Sequence, residues 1–148
     1  MKVFGENIKN ARYYRALSQN ELSGKSGISR SSISMIENSK IDIYFETAKR
    51  LAESLNICLP QFFSRSFSNG KIAAYIEDDF LLIFSQNVKS LLKKKNKYQT
   101  YLYVSTNLSP STINEILKQK VNPKLSSLYQ IADALETTVS ELITRKGE

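Results

Sequence analysis

The side chains that enzymes most often recruit for chemistry are scarce in this sequence. It contains no His and a single cysteine, Cys58. Triads and metal centres built on imidazole are therefore excluded. So are an intrachain disulfide and a cysteine-ligated zinc. Asp and Glu number 14, but no motif arranges them for acid–base work or for a metal. The chain is expected to be no enzyme and to need neither cofactor nor metal. Cys58, between Ile57 and Leu59, reads as a small buried filler. What the sequence offers instead is cation, amide and hydroxyl. Its 21 Lys and Arg give a formal net charge of +7. That charge points to nucleic acid, an anionic membrane surface or an acidic protein as partner.

A length of 148 residues suits one ordinary domain or two very small ones. An internal repeat decides between them. Shifting the sequence by 80 lays residues 7–63 over 87–143 without a gap, and 11 of the 57 pairs are identical. Among them are Asn7/Asn87, Gln19/Gln99, Leu22/Leu102, Ser29/Ser109, Ile33/Ile113, Ile36/Ile116 and Lys40/Lys120. Conservative pairs such as Ile8/Val88, Phe45/Leu125 and Leu51/Ile131 fall at apolar positions. Equal spacing over that length makes each copy a complete folding unit. The expected organisation is a domain over 1–64, a linker over 65–79 and a second domain over 80–148. These three segments carry formal charges of +3, −1 and +5.

Each half reads as five short helices, so the expected class is all-α. In the first copy Phe4, Ile8 and Ala11 recur at helical spacing. Ser18-Gln19-Asn20-Glu21 has the form of a capping box, and Gly27 supplies the turn after the second helix. Ser29 caps a helix over Arg30–Glu37 whose Ile33 and Ile36 face inward. A fourth helix spans Phe45–Leu55 and a short fifth begins near Pro60. Ser109-Pro110 repeats the Ser29-Arg30 start, whereas Tyr98 stands where Ser18 would cap, which makes that second helix the less secure. The linker contains a turn signal, Ser68-Asn69-Gly70. Its residues 71–76 are expected to form a helix or one arm of a hairpin. Phe67, Ile72, Tyr75 and Ile76 are too apolar for a free tether. The N-terminus carries Glu6 and polar residues where a secretory signal needs an apolar stretch. The longest apolar run, 80–84, falls far short of the roughly 20 residues of a membrane span. A cytoplasmic, nucleoid-associated protein without membrane contact is the expectation.

The stretch LSQNELSGKSGISRSSISMIE at 17–37 resembles the lambda-repressor/Cro-like helix-turn-helix family, also called the XRE family. The resemblance continues through RLAESL at 50–55 and Phe62-Phe63. In the second half it is carried by LSPSTI at 108–113, NPKL at 122–125 and IADAL at 131–135. It implies two tandem five-helix domains that bind double-stranded DNA, usually as transcriptional regulators. The family pairs an Arg in helix 1 with a Glu ending helix 3, and Arg12 and Glu37 fit those places. Their counterparts are Leu92 and Leu117. Both partners are exchanged together, as expected where two positions touch and a lone buried charge would cost several kcal/mol. The family's Gly after that Glu is Ser39 here and Gln119 in the second copy.

A recognition helix buries one face and turns the other to the major groove. Opposite Ile33 and Ile36 stand Ser31, Ser34, Met35 and Asn38. By the resemblance, Arg30 projects from the helix start as a base reader and Gln19 touches phosphate. Ser39 and Lys40 follow the helix, where backbone amides and Lys reach phosphate. The equivalent second surface is Pro110, Ser111, Asn114, Glu115 and Lys118, with Gln99, Gln119 and Lys120 for phosphate. The run Lys93-Lys94-Lys95-Asn96-Lys97 reads most simply as a solvated turn. Two functions are therefore in view. One is a sequence-specific DNA-binding regulator of repressor type, with one or both copies reading DNA. The other is an adaptor whose second domain serves homodimerisation or a protein partner, as Pro110 and Glu115 suggest.

Overall fold

The computed structural model describes residues 2–65, 67 and 71–146. The turn signal at Ser68-Asn69-Gly70 lies outside the described residues. Two compact units divide the chain, Met1–Glu77 and Asp78–Glu148. Among the described residues every regular element is helical.

Unit 1 contains α1 (Lys2–Tyr14), α2 (Gln19–Ser26), α3 (Arg30–Glu37), α4 (Phe45–Leu55) and a 3₁₀ helix, Leu59–Phe63. Local chemistry sets each boundary. The Ser18 hydroxyl accepts from the Glu21 amide while Glu21 accepts from the Ser18 amide, each at 3.0 Å, and this closes the capping box. Gly27 ends α2 with φ of 73°, a left-handed geometry that costs other residues more. Ser29 caps α3 through the Ser32 amide at 3.1 Å. Helix α1 packs on α3 and on the 3₁₀ helix, and α2 packs on α3 and α4. The core between them is Phe4, Ile8, Leu22, Ile33, Phe45, Leu51 and Phe62, all buried.

Unit 2 contains α5 (Phe80–Lys94), α6 (Thr100–Ser105), α7 (Pro110–Leu117), α8 (Leu125–Ala134) and α9 (Val139–Leu142). Its packing pairs repeat those of unit 1: α5 with α7 and α9, α6 with α7 and α8. Helix α7 lies 80 residues after α3 at both ends. Backbone geometry keeps the same period. Positive φ occurs at Ala16, Ser39 and Asn56, and again at Asn96, Gln119 and Glu136. Ser39 and Gln119, at 56° and 54°, hold the left-handed position that the resemblance assigns to Gly. Helix α6 has no side-chain cap and runs six residues where α2 runs eight. One residue is lost at each end: the capping box is missing at the start, and the left-handed Gly27 that ends α2 has no glycine counterpart, its equivalent being Asn107.

The connection differs from the expected helix or hairpin arm. Residues 71–77 form an irregular strap, without helix or strand, that belongs to unit 1. The Gln61 side chain donates to the Lys71 carbonyl at 2.6 Å and accepts from the Ala73 amide at 2.9 Å. The Cys58 amide donates to the Ala73 carbonyl at 2.9 Å, and Asn56 accepts from the Tyr75 amide at 3.2 Å. Side chain and loop groups thus satisfy backbone that a helix would have satisfied internally. Of the apolar residues there, Phe67 is buried and stacks on Phe62 at 5.5 Å, whereas Ile76 is 75% exposed. Cys58 is half-buried rather than a core filler. Burial pushes its thiol pKa up.

Candidate nucleic-acid interface

Helix α3 is fixed from beneath by a buried ion pair. The Arg12 guanidinium donates to both oxygens of Glu37, from Nε at 2.7 Å and Nη2 at 2.9 Å. The two side chains are 8% and 2% exposed. A third donor, Nη1, reaches the Leu17 carbonyl at 3.0 Å. Gln19 donates to the same carboxylate at 3.2 Å. A bidentate fork plus these extra bonds is the geometry in which a buried pair survives desolvation. The hydrogen bond to Glu37 holds the Arg12 pKa above its ordinary value against the opposing effect of burial. Residues from α1, α2 and α3 therefore meet at one point, and Ile33 and Ile36 complete the inner face.

The outer face of α3 carries Arg30, Ser31, Met35, Asn38 and Lys40, all exposed, with Ser34 and Ser39 half-buried at its margin. Gln19, at the start of α2, is half-buried with its amide on the Glu37 carboxylate. The Asn38 amide donates to the Ser34 carbonyl at 2.9 Å. That bond closes the end of α3 and leaves Oδ1 and the second amide proton of this exposed residue without a bond to Ser34. Ser31 lies beside the capping Ser29, with hydroxyls 3.3 Å apart. Arg30 stands at the first turn with its guanidinium in solvent, in reach of an incoming acceptor.

In unit 2 the ion pair is gone, and Leu92 and Leu117 are both buried on helices that pack together. The α7 face carries Pro110, Ser111, Asn114, Glu115, Lys118, Gln119 and Lys120, all exposed. Ser111 donates to Glu115 at 3.2 Å. Gln99 turns to the Tyr103 hydroxyl at 3.0 Å, since no acid remains at position 117. This surface has the same placement as α3 but a different character: a carboxylate in its middle and a Pro where Arg30 stands.

Two family models match this arrangement. A helix-turn-helix domain covers residues 5–63, and a Cro/C1-type helix-turn-helix DNA-binding domain covers residues 87–148. The chain is a tandem helix-turn-helix protein. This agrees with the XRE family of regulators. In this tandem helix-turn-helix protein α2–α3 and α6–α7 are the paired helices of the two motifs. No curated protein and no solved structure matches the chain at a significant level. No helix among the described residues is long and apolar enough to cross a membrane.

Several positioning residues escaped the sequence reading. Asn7 donates to the carbonyls of Phe62 and Ser64, both at 2.9 Å. Asn87 does the same for Leu142 at 2.8 Å and Thr144 at 3.0 Å. Each clamps the first helix of its unit to the last. Their identity under the shift of 80 was the available signal. Gly5 lets α1 approach the carbonyls of Ile36 and Glu37 at the end of α3. The counterpart, Ser85, donates its hydroxyl to the Leu117 carbonyl at 2.6 Å.

Proposed function

We propose that this protein is a sequence-specific regulator of transcription, of repressor type, that docks α3 of unit 1 in the major groove of double-stranded DNA. The observation that carries this reading is the outer face of α3. It is polar apart from Met35, carries no carboxylate and is flanked by Arg30 and Lys40, while the inner face is locked by the Arg12–Glu37 pair. Such a face offers Arg30 to guanine O6 and N7, with Ser31, Ser34 and Asn38 for other base edges. Gln19, Ser39 and Lys40 reach the flanking phosphates and set the register. A regulator of this kind works in the cytoplasm on the nucleoid, with duplex DNA as its partner.

For unit 2 two readings stand. Ser111, Asn114 and Lys118 can read bases, with Gln99 and Lys120 on phosphate. Alternatively unit 2 is an adaptor surface for homodimerisation or a protein partner. The Ser111–Glu115 hydrogen bond favours the adaptor, since it ties up a hydroxyl and presents a carboxylate toward phosphate.

Selection of bound sequences from random duplex DNA by the full chain is the test. The regulator reading expects a defined motif, and failure to enrich any motif overturns it. If Asn114→Ala leaves both the motif and the affinity unchanged, the version in which both units read bases fails.

A further inference from the structure

A basin of about 520 Å³ opens in unit 2 between the last turn of α5 and the start of α6. Three exposed lysines line it, Lys89, Lys93 and Lys97. Its apolar part is Leu92, which is buried, and the ring of Tyr98, which is 84% exposed. Asn96 and Gln99 add amides, and no carboxylate is among its lining residues.

Unit 1 shows what distinguishes this place. Eighty residues earlier the same position holds Arg12, whose guanidinium lies 4.8 Å from the Tyr13 ring centre and binds Glu37 and the Leu17 carbonyl. In unit 2 Arg12 is replaced by Leu92 and Glu37 by Leu117, which removes the large side chain and both charges. At the same time Tyr13 gives way to Lys93 and Leu17 to Lys97. The interior became apolar and the mouth gained two cations. The two added lysines are not needed for the fold, since unit 1 folds the same way with Tyr13 and Leu17 in their places.

We propose that this basin binds a phosphorylated small molecule that carries a flat ring, of the nucleoside diphosphate class. Three lysines around one basin without a lining carboxylate favour a multiply charged anion, with the Lys97 ammonium resting 5.0 Å from the Tyr101 ring centre. Lys serves phosphate well as a point charge. Tyr98 supplies the exposed aromatic surface on which a ring can stack. The volume falls within the roughly 300–1,000 Å³ of small-ligand sites. The free ligand and the phosphates of DNA share the anionic chemistry, so the test must separate them.

Calorimetric titration of the full chain with ADP, adenosine and pyrophosphate makes that separation, alongside a random duplex. ADP is expected to bind at least about tenfold more tightly than adenosine or pyrophosphate alone, since each lacks one half of the recognition. The Lys93→Gln/Lys97→Gln double variant should weaken ADP by about tenfold or more. Lys25→Gln, in unit 1, should leave ADP binding unchanged. Both lysine positions are exposed, so the double variant keeps its fold. The proposal is overturned if ADP does not bind, if adenosine or pyrophosphate equals it, or if the lysine variants leave its affinity intact. Loss of duplex affinity in those variants without ADP binding would assign the lysines to DNA and overturn it equally.

Discussion

Replacing Arg12 and Glu37 one at a time and then together tests what holds α3 in place. With side chains 8% and 2% exposed and two donor–acceptor distances under 3 Å, the pair is desolvated. Arg12→Leu strands the Glu37 carboxylate with only Gln19 beside it, and Glu37→Leu strands the guanidinium. Each single change is expected to cost about 3–5 kcal/mol. The double change to Leu reproduces what unit 2 carries at Leu92 and Leu117, where both side chains are buried. It forfeits the bond to the Leu17 carbonyl, about 1 kcal/mol, and gains apolar contact, so its net effect should lie within about 1.5 kcal/mol of zero. The chain has no Trp, so denaturant unfolding is best followed by the amide resonances of unit 1, such as Ile33, in the full chain. The cycle should show a coupling of several kcal/mol. If the double variant is as unstable as the worse single one, the two Leu of unit 2 do not stand in for the pair and the reasoning fails.

Three further outcomes follow from neighbouring contacts. Gly5→Ala should destabilise unit 1 by about 1–3 kcal/mol through overpacking against α3; a melting temperature equal to the parent's would contradict the close approach to the Ile36 carbonyl. Asn7→Ala removes a donor from two carbonyls and Asn87→Ala from three; each should cost about 1–3 kcal/mol in its own unit, seen as loss of amide protection in that unit alone. The Ser18 amide and hydroxyl hold the Glu21 carboxyl below its ordinary pKa. Because the folded value is the lower one, this contribution is present above the ordinary carboxyl range and is lost as pH falls through the folded value. Glu21→Gln should therefore flatten that part of the acid limb of a stability–pH curve, and an unchanged limb would contradict the capping box.

The helices closest to function were legible because local chemistry marks their ends. Ser29 and Ser109 cap, Ile33/Ile36 and Ile113/Ile116 keep an inward spacing, and α3 and α7 occur where those signals place them. The repeat carried the weaker second copy, since its period governs even the left-handed residues. The strap over 71–77 was not legible. Its partners are the side chains of Gln61 and Asn56 and the Cys58 amide. Such long-range pairing leaves no periodic trace. Ser34 is half-buried for a related reason: helical angle gives a direction, not the height of neighbouring elements. The Asn7 and Asn87 clamps were visible as identities, but nothing in a polar residue on an apolar face names the carbonyls it will meet.

The most direct test of the central claim compares Arg30→Ala with Lys40→Ala in duplex affinity, motif and salt dependence. If α3 reads bases, Arg30→Ala relaxes preference at one base position, at a cost of about 1–3 kcal/mol on the preferred sequence. Lys40→Ala should instead weaken all duplexes alike and lower the salt slope by about 0.9. Equal, sequence-independent losses from both variants would show that the face of α3 meets only the phosphate backbone, contrary to the account.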